Sequence, residues 1–292
     1  MKKILLIMLL LLTVFACAEE EYAGKTEKAY YPYFEKDALS GFQYVVYPEK
    51  SGLLLSAYSD DCEIAVTVEE DEEAADEKAF LENYIKGISR YAYILNDPEI
   101  ITYDEHQITG AKTEIVYRSQ KAKEGDEGYQ TDAFSMKTEE NRYLLIVFNS
   151  WGEDGESAIR DIEERFFESF ELQKREVSDS YLAFLKFAGE DEEGNLYAVL
   201  DFCSVVYDES IFTVYAQNKT IQETEYRISK DALIWAEDVS SALYTAHLIE
   251  PAAQNLNEAA AYYYENMGFD IIFQVKFDEK GEIVWMMHYN AF

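Results

Sequence analysis

A chain of 292 residues is long enough for two domains with a core each, and its 48% hydrophobic content, with 24 Tyr and 17 Phe, excludes a disordered polymer. Its 58 acidic residues against 25 basic ones leave a formal charge of −33, a field that repels phosphate backbones and anionic headgroups. Nucleic acid is thereby excluded as a partner, and a charge of this sign serves solubility at a crowded surface.

The chain opens with Lys2 and Lys3, an apolar run from Ile4 to Phe15, and Ala16-Cys17-Ala18 before Glu19. A basic start, a short apolar stretch and small residues make an export signal, too short to span a bilayer stably. Residues 1–18 are therefore expected to be processed, in one of two ways. Val14-Phe15-Ala16-Cys17 resembles a bacterial lipobox, in which the Cys17 thiol is acylated and becomes the new N-terminus. Ala16-Cys17-Ala18 also fits ordinary cleavage after Ala18, which would discard Cys17 and leave a secreted or periplasmic protein. Lipidation of Cys17 is the preferred reading, because a multiply acylated Cys anchors stably and the residue falls where an anchor sits. Residues 19–40, acidic and then Tyr-rich, would form a tether. Within it Tyr30, Tyr31, Tyr33 and Phe34 are candidate ligand contacts, since exposed tyrosines combine flat apolar area with a polar tip.

From residue 41 to 173 the pattern predicts an α+β domain, an antiparallel sheet with flanking helices. Strands are expected at Phe42–Tyr47, Leu53–Tyr58 and Ile64–Val68, where apolar residues alternate. A helix is expected from about Ala74 to Leu95, with Leu81, Tyr84, Ile85, Ile88, Ala92 and Leu95 on one stripe and the acidic run Glu69–Glu73 at its positive end. Strands follow at Ile100–Tyr103, Ala111–Arg118, Gln130–Met136 and Tyr143–Asn149, the last two joined by a turn at Thr138–Asn141. A helix from about Glu156 to Phe170 closes the domain with Ile159, Ile162, Phe166 and Phe170 on one face.

The opening Phe42-Gln43-Tyr44-Val45-Val46-Tyr47-Pro48, the long helix after three strands, Ile108-Thr109-Gly110-Ala111 leading a strand, and the ending Glu168-Ser169-Phe170-Glu171 resemble the PsbP-like superfamily. That group includes the extrinsic photosystem II protein, a nuclear Ran-binding factor and many exported bacterial lipoproteins. The resemblance covers about 130 residues, and Lys50-Ser51-Gly52-Leu53 stands where the family often has a Trp. It implies a non-catalytic binding or assembly module and carries no site residues across.

Residues 174–180 are polar and are expected as a linker to a second, β-rich domain over 181–292 with one helix. Strands are predicted at Tyr181–Phe187, Leu196–Tyr207, Ile211–Tyr215 and Glu223–Ile228, a helix at Leu256–Met267 stopped by Gly268, and a closing hairpin of Ile271–Phe277 and Ile283–Tyr289.

Chemistry is sparse. His106, His247 and His288 show no metal spacing, and no nucleophile motif is present. Cys62 and Cys203 sit in apolar runs and read as buried free thiols. The acidic turns Glu190–Asn195 and Glu153–Glu156 lack EF-hand spacing and read as solvated turns. No cofactor and no metal is expected. The resulting expectation is an exported, lipid-anchored, non-catalytic binding or assembly protein of the bacterial cell envelope, its partner an envelope protein or a glycan. A carbohydrate or cell-wall binder using exposed tyrosines, and an unrecognised hydrolase, are the alternatives.

Overall fold

A computed structural model describes residues 26–96, 98–103, 108–117, 129–151, 155–208, 213–218, 220–237, 246–268 and 270–289. The described chain is predominantly β, built of mainly antiparallel sheets with three α-helices, and so is richer in strand than the α+β class expected of it. It divides into two compact units, one of residues 29–174 and one of residues 175 onward, with which residues 26–28 group.

The first unit is a sandwich. Its strands β2 (Gln43–Val46), β3 (Gly52–Tyr58), β4 (Cys62–Glu70), β5 (Ala92–Ile94), β6 (Glu99–Tyr103), β7 (Ile108–Tyr117), β8 (Tyr129–Glu139) and β9 (Arg142–Ser150) form one sheet in the order β2-β3-β4-β9-β8-β7-β5, with β6 also on β7. Helix α1 spans Glu77–Ile88 and helix α2 spans Gly155–Ser169. In the central strand β9, Tyr143 to Phe148 are buried without a break, which a strand tolerates only when both its faces are covered. Tyr143, Leu145 and Val147 pack with Phe80 and Leu81 of α1. Phe148, of opposite parity, meets Phe166 and Phe167 of α2 at 5.6 and 5.8 Å between ring centroids. The two helices therefore cover opposite faces.

Local chemistry sets the ends of α1. Asp76 caps it by accepting from the Ala79 N–H at 2.9 Å. The acidic run lies ahead of the helix: Glu69 and Glu70 end β4, and Asp71 accepts from the N–H groups of Glu73 and Ala74 and from the Asn83 amide. The helix also stops sooner than its apolar stripe predicts. The Ser89 hydroxyl donates to the Lys86 carbonyl at 2.7 Å, and Ala92–Ile94 leave as β5 to pair with β7. Ala92 and Ile94 satisfy a period of two as well as Ala92 and Leu95 satisfy one of 3.6, and pairing with β7 decides between them.

The second unit holds β11 (Tyr181–Glu190), β12 (Leu196–Asp208), β13 (Thr213–Gln217), β14 (Glu223–Glu237), β15 (Ala246–Ile249), β16 (Ile272–Phe277) and β17 (Ile283–His288), with α3 at Ala253–Met267. The order β12-β11-β16-β17-β14, with β14 pairing back to β12, closes a five-stranded barrel, to which β13 and β15 add at the sides. Ala183, Leu185, Leu200, Ile228, Phe273, Val275, Phe277 and Met286 fill one core, to which α3 adds Leu256 and Tyr263. β14 outruns the expected strand by nine residues, because a bulge between Ile228 and Leu233 carries it past Ser229-Lys230-Asp231 onto β17 in parallel and then onto β15. Gly268 ends α3 in the left-handed region at φ 79°.

Thr26–Tyr33, expected within a tether, is strand β1, and Glu171–Ser178, covering most of the expected linker, is strand β10; the two pair as a two-stranded sheet. The boundary between the units cuts both strands, at Lys28/Ala29 and Lys174/Arg175. Backbone pairing partners exist for these polar segments, and a strand needs only one apolar side.

Candidate functional site

The tyrosines singled out in the sequence are not an exposed strip. Tyr30 and Tyr31 are buried, at 2% and 7% exposure, and Tyr30 forms a two-way backbone bridge with Glu49 while Lys174 lies 5.2 Å from its ring. Phe34 packs on Tyr44 and Phe166, which leaves Tyr33 as the exposed member of the set. Cys17 and His106 lie outside the described residues, as do Glu153 and Asp154 of one acidic turn.

His288, Cys62 and Cys203 sit in packed surroundings. His288 is buried against Tyr263 and Phe273, and burial pushes its pKa down to about 4. His247 is exposed on β15. Cys62 and Cys203 are free thiols, pushed up to about 12 and about 11, in each case chiefly by burial and then by nearby carboxylates. A thiol so placed is not a nucleophile near neutrality. In the other acidic turn Asp191 accepts from the N–H groups of Glu193 and Asn195 and from the Asn195 amide, and these hydrogen bonds hold its carboxyl below the usual range. The turn thus uses its best oxygen ligand internally. Among the described residues no group of three or more His, Cys, Asp or Glu side chains is placed to hold a metal ion.

One cluster was invisible in the sequence. Lys112 of β7 reaches Asp132 of β8 at 2.5 Å and Glu163 of α2 at 2.8 Å, while the Gln130 amide donates to Asp132 at 2.8 Å. Lys112 and Asp132 are direct partners across the β7–β8 ladder, and α2 lays Glu163 over them. Burial, and then the hydrogen-bonded Asp132, push the Glu163 carboxyl up to about 8. Two carboxyl groups in hydrogen-bond contact beside one ammonium are closer than the ~5 Å or more that glycoside hydrolysis needs between its two acids. The arrangement clamps a helix to a sheet.

The accessible aromatic surface lies elsewhere, on the α1 face of the sandwich sheet beyond the rows that α1 covers. Glu63, Asn149 and Thr131 form one row across β4, β9 and β8, continued by Tyr58 of β3. Tyr129 and Trp151 stand beside it, edge to face at 6.2 Å, with Tyr58 and Tyr129 exposed. Trp151 is fixed by two hydrogen bonds to the loop before β4, from its ring N–H to the Asp60 carbonyl at 2.7 Å and from its backbone N–H to that of Asp61. The Thr131 hydroxyl donates to the Asn149 carbonyl oxygen, which turns the Asn149 NH2 outward. Glu63, Tyr129, Asn149 and Trp151 line a cavity of about 420 Å³. A rigid Trp–Tyr pair beside a carboxylate and an amide is the composition of a recognition surface. Register alone assembles it, from residues up to 93 positions apart, Tyr58 and Trp151 being the extremes.

No protein-family model matches the chain, and no curated protein does. Among solved structures, the solution structure of cyanobacterial PsbP (CyanoP) from Synechocystis sp. PCC 6803 is similar at a TM-score of 0.32 and 14% identity, over 50% of this chain and 93% of that one.

Proposed function

We propose that the protein is an exported, lipid-anchored binding or assembly module of the bacterial cell envelope, without catalytic activity of its own, and that the first unit is a PsbP-like α+β sandwich. The address rests on Lys2-Lys3, the apolar run to Phe15 and Ala16-Cys17-Ala18, with Cys17 as the anchor. The observation that carries the binding reading is the Tyr58–Tyr129–Trp151 surface. Tyr58 and Tyr129 are exposed and Trp151 is half-buried, whereas His288, both thiols and the Asp132–Glu163 pair are buried, neutral or clamped. A general acid or base must reach its substrate and titrate near the working pH, a condition that none of these meets together with access. The favoured partner is a protein of the envelope, because Trp and Tyr held rigid at the centre of a patch are the residues that dominate protein interfaces.

A photo-crosslinking amino acid in place of Tyr129, used in intact cells, should capture one envelope protein, and Trp151→Ala should remove the product while the chain stays folded. Cys17→Ala should move the protein from the membrane to the soluble fraction. An unmodified Glu19 N-terminus would replace the anchor with ordinary secretion. A folded His288 or Lys112 variant that abolishes the phenotype with crosslinking intact would replace binding with catalysis.

A further inference from the structure

The barrel unit has a pocket of its own. It measures about 400 Å³ and is lined by ten residues, among them Tyr181, Phe202, Gln217, Asn218, Gln222 and Thr224, within the ~300–1,000 Å³ of small-molecule sites. It lies at the end of the barrel where β11 and β14 begin and where β12 runs on past β11 to pair with β13 alone.

The lining is selective. In a chain with 28% charged residues and a net charge of −33, none of the ten is charged. Among the described lining residues an anion finds no cation and a cation no carboxylate, and Asp201 next to the pocket is buried and accepts from the Gln222 backbone N–H at 3.0 Å. Neutral groups that both donate and accept are supplied by amides and hydroxyls instead. The side-chain amides of Gln217 and Gln222 are exposed and Thr224 is half-buried at the pocket wall, so all three are accessible to a ligand. Asn218 is oriented by accepting from the Thr220 N–H at 3.0 Å, which leaves its NH2 group to donate. One wall is aromatic: Phe202 is half-buried and braced by Tyr181 at 6.1 Å and Tyr226 at 5.7 Å, so its ring is held in place.

An aromatic ring among amides and hydroxyls suits a ligand with an apolar C–H face and a rim of neutral hydroxyls. We infer that the barrel pocket is a binding site for a neutral saccharide, of one or two sugar units, with Phe202 under the sugar ring and Gln217, Gln222 and Thr224 on its hydroxyls. Cys203 contributes only its place in the wall, its thiol staying protonated. The inference stands apart from the protein partner proposed for the sandwich surface, and either can fail alone.

The test titrates the full exported chain with β-1,4-linked disaccharides of glucose and of N-acetylglucosamine, followed by backbone amide NMR and calorimetry. Saturable binding with shifts at Gln217, Gln222 and Thr224 is expected. Gln217→Ala, Gln222→Ala and the near-isosteric Thr224→Val should each weaken it about tenfold, with unchanged melting temperature, while Trp151→Ala should leave it untouched. No saturable binding of either disaccharide up to about 10 mM, binding indifferent to all three pocket variants, or equal binding of a glucuronate or glucosamine analogue would each overturn the inference.

Discussion

Tyr263 of α3 stands edge-on to His288 of β17, their rings 4.6 Å apart at an interplanar angle of 81°. With Phe273 at 6.2 Å on the same imidazole, the contact keeps His288 neutral, its pKa lowered from 6.5 to about 4 by burial. Above pH 6.5 the ring is uncharged whether the chain is folded or not. As pH falls from 6.5 to 4 the unfolded chain takes up a proton that the folded one refuses, so stability is lost across that window, by about 3 kcal/mol in all. Urea unfolding at pH 7 and pH 4.5 should show this loss, and His288→Phe should lack that component of it.

The Lys112 clamp carries the opposite sign. Glu163 keeps its proton in the fold at a pH where the unfolded chain has lost it, because burial and Asp132 raise its pKa from 4.5 to about 8. Its contribution is present in full below pH 4.5 and is lost as pH rises towards 8. Glu163→Gln should therefore gain on the wild type between pH 5 and pH 8, measured by the midpoint of thermal unfolding. Lys112→Met leaves two carboxyls without their cation and should cost about 2 kcal/mol, the ammonium being partly exposed.

Both thiols should be silent in the native protein. With Cys62 pushed up to about 12 and Cys203 to about 11, neither supplies thiolate at pH 8. Titration with a chromogenic disulfide should read no thiol from these two positions until denaturant is added. Native labelling of Cys203 at the rate of a free thiol would place it in a more open wall than the barrel pocket has.

Asp191 should matter to its own turn and to Arg227 of β14, with which it pairs at 3.3 Å. Asp191→Ala removes the acceptor for the N–H groups of Glu193 and Asn195 and should lower the melting temperature slightly. Millimolar calcium should leave the melting temperature of wild type and variant alike unmoved, as a calorimetric scan would show.

Where a short segment carries its own pattern, the residues were enough. β4 with Ile64, Val66 and Val68 buried, α2 with Ile159, Ile162 and Phe166 buried, and the hairpin turning at Gly281, φ 77°, all follow from periodicity and turn chemistry that act within a few positions. The formal charge of −33 is likewise a property of composition. What required the fold is whatever depends on a distant partner. Polar Glu171–Ser178 became a strand because Thr26–Tyr33 is there to pair with it, and β5 took Ala92 from the helix stripe because β7 offered backbone groups. Tyr30 was buried rather than displayed by a bridge to Glu49. The Lys112 clamp, the Trp151 surface and the barrel pocket beside Phe202 each join residues from three or more elements. Their spacing along the chain bears no relation to their spacing across a ladder, since strand register and barrel closure are set by the sum of many weak contacts that no single segment contains.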